Sequence, residues 1–319
     1  MARVVNVCAK LLAVAALWCA GPATAETLRV GKSAPAVFTY SLLEVGMQAG
    51  IFKKHGLDIE SSGFGGGPRM QQAMAADSID IGLGTGPDRV MIAKGSPTRV
   101  VGALAGRPIE MVVLAKPSGP IQTAADLKGK KVAVTAAASL TGWLMRELSR
   151  KEGWGPEGVV LVSSPQTSAS RALMKVGEID AMVSDLAFGV QSEQAGEARI
   201  LVNFGDLVPD FHIQVFFATE KLIATRPETV RAFLAGWYET IAYVRTHKDE
   251  TVKVVHDVLG SDPVVIGKIY DIVTPAYSSD GRLDPRALSV LAKSYVDLKL
   301  VDKEPDMSKF IDEQFLPKH

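Results

Sequence analysis

The sequence predicts an α/β fold of two similar lobes with a cleft between them, and three observations carry that prediction. Short β-prone runs alternate with helical stretches, the pattern of parallel βαβ units. The pattern occurs twice. Met74 followed by Ile79-Asp80 ends one amphipathic stretch, and Met174 followed by Ile179-Asp180 ends another. Each Ile-Asp opens a short apolar run that stops at a turn: Gly82-Leu83-Gly84-Thr85-Gly86 in the first copy, Ser184-Asp185 in the second. Upstream, Leu28-Arg29-Val30 corresponds to Val132-Ala133-Val134, and Leu57-Asp58-Ile59 to Val159-Val160-Leu161. Two such units imply two lobes, and a cleft between lobes is a preferred place to hold a small molecule.

Residues 1–25 read as a cleavable export signal. Arg3 and Lys10 give a basic start, Leu11 to Ala20 is apolar but too short to span a bilayer, and Ala23-Thr24-Ala25 is a small-residue cleavage site. The mature chain then starts at Glu26 in the periplasm. Both cysteines, Cys8 and Cys19, lie in this leader, so the mature chain has no thiol and no disulfide. Cys19 follows Trp18 rather than a small residue, which argues against a lipid anchor. Removing the leader leaves 33 basic against 35 acidic residues, a formal charge of −2 that argues against nucleic acid and anionic membrane surfaces as partners.

In order, Leu28 to Gly31 reads as a strand, and Tyr40 to Lys54 as a helix ended by His55-Gly56. Leu57 to Ser61 is a second strand. The turn Gly63 to Gly67 leads to Pro68 at the start of a helix that runs to Ala76. Ile79 to Leu83 is the third strand, and Pro87 opens a helix ending near Gly95. Strand-rich Thr98 to Ala115 is expected to carry the chain across, with Lys116 to Pro120 marking the crossing. The second lobe repeats the pattern: strand Lys131 to Thr135, helix Ser139 to Lys151, strand Val159 to Val162, helix Ser168 to Val176, strand Ile179 to Val183, and a further strand at Ile200 to Val202. Phe211 to Thr219 is the return. Helices begin at Pro227, Asp262-Pro263 and Asp284-Pro285. In the first of these, Val230, Phe233, Leu234, Trp237, Ile241 and Val244 form one buried face. The expected division is lobe 1 at 26–115 and 212–319, and lobe 2 at 116–211.

Ligands of parallel α/β sheets sit beyond the carboxyl ends of strands. That rule selects Lys32 to Tyr40, Gly65 to Gly67, Gly84 to Asp88, Ala136 to Trp143 and Ser184-Asp185, with His212 at the return as a sixth place. Thr85-Gly86 and Ser139-Leu140-Thr141 stand at helix starts, whose free N–H groups attract anions and carbonyl oxygens; ordinary capping fits either place as well. Phe38, Tyr40 and Trp143 are pocket or core aromatics. Asp185 binds a ligand donor or caps the next helix, and His212 touches ligand or serves the core. Lys32 and Arg69 are candidate anion partners, but a solvated surface fits both better. The five histidines show no metal-ligand spacing, so neither metal nor cofactor is expected. The glycines of 82–86 lack the third glycine of a dinucleotide fingerprint, since Pro87 stands there, and 63–67 lacks a phosphate-loop ending. No nucleophile elbow or zinc-protease motif occurs, and nothing in the spacing supports a hydrolase triad of Ser184, Asp185 and His212.

Five segments in order resemble the solute-binding proteins of ABC transporters, in the nitrate/sulfonate/taurine and thiamine-pyrimidine group. They are Ala49 to Glu60 (AGIFKKHGLDIE), Gly67-Pro68 through Gly82, Asp126 to Val134 (DLKGKKVAV), Gly177 to Ala181 (GEIDA) and Pro227 to Leu234 (PETVRAFL). The resemblance implies a two-lobed type II periplasmic binding fold with two hinge crossings and C-terminal helices packed on lobe 1. It implies a non-enzymatic monomeric receptor that delivers a small polar organic molecule or anion to an inner-membrane permease with its ATPase. It also implies that Phe38 to Tyr40, Thr85, Ser139 to Thr141 and Ser184-Asp185 line the cleft. A receptor that docks on a sensor protein is the alternative partner. The thiamine-pyrimidine branch includes enzymes that use a cysteine-rich segment, which the mature chain lacks.

Overall fold

The computed structural model describes residues 25–35 and 37–318, so the expected leader lies outside the described residues. The first three strands are β1 (Glu26–Lys32), β2 (Leu57–Gly63) and β3 (Ile81–Thr85). They are separated by helices α1 (Phe38–Gln48), α2 (Ile51–Lys54) and α3 (Gly67–Ala75); the helix predicted over 40–54 is thus divided at Ala49-Gly50. A 3-10 turn over Gly86–Arg89 and helix α4 (Val90–Ala93) lead to β4 (Thr98–Ala105). Then come β5 (Met111–Ala115), β6 (Lys131–Val134), α5 (Leu140–Lys151), β7 (Val160–Ser163), α6 (Thr167–Val176), β8 (Ala181–Asp185), α7 (Leu186–Gln194), β9 (Arg199–Asn203) and α8 (Phe204–Leu207). The chain ends with β10 (Gln214–Thr219), α9 (Glu220–Thr225), α10 (Pro227–Val244), α11 (Lys248–Leu259), α12 (Pro263–Val273) and α13 (Pro285–Asp297).

The strands form two five-stranded sheets of matching topology, ordered β2-β1-β3-β10-β4 and β7-β6-β8-β5-β9. β10 is antiparallel to β3 and β4, and β5 is antiparallel to β8 and β9. Each sheet therefore receives as its antiparallel member the strand that has just arrived from the other lobe. This places the outbound crossing earlier than the sequence suggests. Met111–Ala115 pairs wholly within the second sheet, so the crossing is 106–110 and not Lys116 to Pro120. The physical reason is Pro108, which cannot donate to a ladder and whose carbonyl takes the Met111 N–H in a turn. Lys116 to Pro120 is a loop inside the second lobe. The return crossing, 211–213, lies beside the outbound one, with the Ile213 N–H donating to the Gly106 carbonyl at 2.7 Å.

The Ile-Asp echo has a structural cause. Asp80 N–H donates to the Arg29 carbonyl at 2.8 Å, and its carboxylate accepts the Arg29 N–H at 3.2 Å. Asp180 does the same with Lys131, at 2.8 Å in both directions. In each lobe the aspartate pins the start of the third strand to the first. Asp80 is 3 % exposed and also binds the Arg29 and Arg226 guanidiniums, at 2.8 and 3.1 Å. Met74 and Met174 are both buried.

The apolar face of α10 packs on α1 and α2, with Phe233 stacked on Phe52 and Trp237 edge-on to Phe216. Asp262 and Asp284 cap α12 and α13 by accepting the Val264 and Arg286 N–H groups. These last two helices also reach the second lobe. α12 packs on α7, and on α13 the Ser294 hydroxyl accepts the Trp143 indole N–H at 2.9 Å.

Candidate solute site between the lobes

Two helix starts face each other where the carboxyl ends of β1 and β3 meet those of β6 and β8. One is Gly67 on α3, the other Leu140 on α5. The first N–H groups of a helix have no intrahelical acceptor and carry the positive end of its dipole. Between them lies a cavity of about 60 Å³ lined by Ser33, Ala34, Tyr40, Gly66, Gly67, Thr85, Met111, Thr135, Ser139, Leu140, Thr141 and Gln214. None of these described lining residues is charged. A water needs about 10–15 Å³ of such space, so the cavity holds a few waters.

The lobes touch around this cavity. A Cβ placed on Gly65 would stand 2.7 Å from Pro165 Cβ, and one on Gly66 would stand 3.8 Å from Ser139 Cβ. Gly66 has φ 113°, a conformation that side chains avoid. The glycine run 63–67 is thus a turn that lets α3 approach the second lobe, not a phosphate loop.

Hydroxyls form two clusters in the wall. Ser33 Oγ donates to the Tyr40 hydroxyl at 3.1 Å, which donates to the Gly84 carbonyl at 3.0 Å. Burial pushes the Tyr40 phenol well above its ordinary range, so it stays neutral. Across the cavity, Thr135 Oγ1 lies 2.7 Å from Ser139 Oγ and 2.9 Å from Thr141 Oγ1. Thr141 Oγ1 also accepts the Thr135 N–H at 2.8 Å, which fixes this cluster to the end of β6.

Tyr40, Thr85, Ser139, Leu140 and Thr141, expected from the sequence, are brought together here. The other candidates are not. Phe38 is buried in the core of the first lobe, and Ser184 is buried on β8 without lining the cavity. Gly86 was expected to offer a free N–H, but that group donates to the Ile213 carbonyl at 3.2 Å, and Thr85 N–H donates to the Asp88 carboxylate at 2.8 Å. The return crossing and Asp88 have consumed the donors that the sequence leaves open. Burial pushes Asp88 up to about 6.

Asp185 is a cap: its carboxylate accepts the Phe188 N–H at 2.9 Å and starts α7. It faces a different and larger cavity of about 470 Å³, with Thr167, Ser168, Arg171, Phe188, Leu259 and Ser261 among its walls. Size does not make this the better site, because the two opposed helix starts and the hydroxyl clusters converge on the smaller one. His212 Nε2 accepts the Asp284 N–H at 2.8 Å and so helps start α13. Burial, then the nearby Arg89 charge, push His212 down to about 3. Ser184, Asp185 and His212 therefore form no triad. Trp143 stacks on Phe211 with centroids 4.6 Å apart, Lys32 is buried against Glu44 at 2.7 Å, and Arg69 is exposed.

Sequence reasoning missed Met111, Thr135 and Gln214. Met111 and Gln214 open the two strands that arrive from crossings, so their amino ends reach the cleft where the parallel strands present carboxyl ends. Their signal is the crossing itself, which is visible only once the antiparallel strand is recognised. Behind Gln214 lies Glu110, the last residue of the outbound crossing and 3 % exposed. It accepts Gln214 Nε2–H, and its two carboxylate oxygens each lie 2.9 Å from the donating Thr39 hydroxyl.

Comparisons agree with this architecture. A relative from Escherichia coli (strain K12), named for binding aliphatic sulfonates, is 27 % identical over 317 residues, covering 95 % of this chain and 94 % of its own. The alkanesulfonate-binding protein SsuA from Xanthomonas axonopodis pv. citri, solved bound to MOPS, superposes with a TM-score of 0.77 at 20 % identity, over 92 % of this chain and 99 % of that one. The desulfurization enzyme DSZB superposes with a TM-score of 0.67 at 18 % identity, over 91 % and 97 %. At such identities the structural matches establish the fold, that of the periplasmic binding proteins. The paired sheets, the exchanged strands and the family model that matches residues 40–251 together place the chain in the NMT1/THI5-like family.

Proposed function

We propose that this protein is an exported, monomeric solute-binding receptor of an ABC importer, which closes its lobes over the oxyanion or carbonyl end of a small polar molecule. The observation that carries this reading is the uncharged cavity between two opposed helix starts, walled by hydroxyls of both lobes. Helix starts and hydroxyls hold an anion without a side-chain counter-ion, and that suits a receptor which must release its cargo. A sulfonate is the first candidate, because relatives carry that name. Carboxylates, nitrate and pyrimidine-like solutes share the same acceptor chemistry. The partners are then the permease and its ATPase, and the place is the periplasm. A hydrolytic role has little support, because Asp185 and His212 are engaged in starting helices.

A thermal-shift screen tests the proposal. A solute that binds only the folded protein adds about 2.7 kcal/mol of stability at a hundredfold excess over its Kd. The expected result is a raised Tm with one member of a panel of sulfonates, carboxylates, nitrate and pyrimidines. No shift with the panel or with periplasmic extract would sink the receptor reading.

A further inference from the structure

Beside the two crossings the side chains of Glu110 and Gln214 meet, and that contact decides which atom of Gln214 faces the cavity. Gln214 is 2 % exposed and lines the cavity wall. Its Nε2–H donates to Glu110, while its Oε1 has no partner among the described residues. An ionised carboxylate can only accept hydrogen bonds, so it can face only the NH2 end of the amide. The carbonyl end is thereby left for the cavity. The other polar side chains lining the cavity are hydroxyls, which turn either way, and the helix starts supply donors only. Among the described lining residues Gln214 Oε1 is the one side-chain oxygen committed to accepting, and it is buried, where an unmet acceptor is costly.

We propose that Glu110 acts as a positioning residue which, by holding the Gln214 amide, selects solutes that carry an N–H or O–H donor beside their oxyanion or carbonyl group. Hydroxy- and amino-sulfonates, hydroxy acids, amides and pyrimidines belong to that class. Nitrate and simple alkylsulfonates do not. The inference rests on the cavity being the solute site and goes on to name the solute's second feature.

The contact is also titratable. Burial raises the Glu110 carboxyl to about 7, against the lowering hydrogen bonds from Thr39 and Gln214, and Asp185 on β8 raises it further. The other groups facing it are the Tyr277 and Tyr40 phenols, both held neutral by burial. Protonated Glu110 becomes a donor, for which the Gln214 carbonyl is the better partner. The amide then turns and presents NH2 to the cavity. Preference for donor-bearing solutes therefore belongs to the alkaline side, and aprotic anions gain on the acid side.

The experiment measures calorimetric affinities for matched pairs differing in one donor: 2-hydroxyethanesulfonate against ethanesulfonate, glycolate against acetate, uracil against its N3-methyl derivative. Each is titrated at about pH 8.5 and about pH 5.5, either side of the Glu110 midpoint. In the wild-type protein the donor-bearing member of a pair that binds should win by about tenfold or more at the higher pH, and the ratio should shrink at the lower. Glu110→Gln leaves an amide that faces Gln214 either way round, so the ratio should be small and independent of pH. Gln214→Leu should abolish the ratio through the other partner, and circular dichroism melts report whether each variant folds. Binding without discrimination, or an unchanged pH profile in Glu110→Gln, overturns this inference and leaves the receptor reading intact. Failure of every member to bind the wild-type protein overturns this inference, and the receptor reading falls with it only where the thermal-shift panel and periplasmic extract also give no shift.

Discussion

Gly65→Ala places one methyl group between the lobes. Its Cβ would stand 2.7 Å from Pro165 Cβ, whereas non-bonded carbons rest at about 3.5–4.0 Å. The shortfall of about 1 Å is an overpacking of the kind that costs about 1–3 kcal/mol. Gly65 leads into α3 of the first lobe and Pro165 stands before α6 of the second, so the strain falls on the closed arrangement alone. With the lobes apart the methyl group meets solvent, and stability without solute should stay within about 0.5 kcal/mol of wild type. A solute that needs closure must overcome the strain, which corresponds to a loss of affinity of about 5- to 150-fold. Calorimetric titration with a solute found in the screen, beside a solute-free melt, measures both quantities. Pro165→Gly in the Gly65→Ala background should restore most of the affinity by removing the opposing atoms. Unchanged affinity in Gly65→Ala, or a fall in solute-free stability as large as the fall in affinity, would refute the reasoning.

Asp185→Ala should lower stability by about 1 kcal/mol through loss of the α7 cap while leaving affinity intact; a lost affinity with an unchanged melt would return Asp185 to the solute site. Asp80→Asn should cost about 1.5–3 kcal/mol at neutral pH, because the joint to Arg29 loses its charge-assisted bonds. Arg29 and Asp77 around it are partly exposed, so the lower half of that range is expected. The Asp80 carboxyl is held below its usual range mainly by Arg29 against the opposing effect of burial. Its contribution is therefore present above the unfolded value of 3.8 and lost as pH falls through the lower folded one. Denaturant melts of wild type and Asp80→Asn should converge in acid, and parallel curves down to the lowest workable pH would contradict this. His212 titrates at about 3 when folded against 6.5 unfolded, so the unfolded chain binds the extra proton between those values and His212 destabilises the fold as pH falls through them. His212→Gln keeps an acceptor for the Asp284 N–H and should flatten the pH dependence of stability by up to about 1.4 kcal/mol per pH unit in that window; an unchanged slope would show that His212 is not buried neutral.

Much of the fold was legible because its signals are local. Alternation, helical spacing, and proline or aspartate at helix starts place strands and helices within a few residues, as Asp262 and Asp284 do. The cavity was partly legible for the same reason, since Tyr40, Thr85 and Ser139 to Thr141 follow parallel strands whose carboxyl ends must point at the cleft. The repeated Ile-Asp was visible in the sequence, but its meaning was not. Only the structure shows each aspartate closing a joint to a strand about 50 residues earlier in the chain.

What the sequence by itself determined is the pair of α/β units and the loops at the carboxyl ends of their strands. What only the tertiary structure decided is which of those loop groups remain available. Gly86 N–H is taken by the return crossing, Asp185 by its own helix, and His212 by the start of α13. Glu110 and Gln214, 104 residues apart, meet because β5 and β10 enter opposite sheets side by side. The physical reason is that a backbone donor or a side-chain amide is spent on whichever acceptor the strand register brings within reach. Register between distant strands is a property of the closed fold, not of any local run of residues.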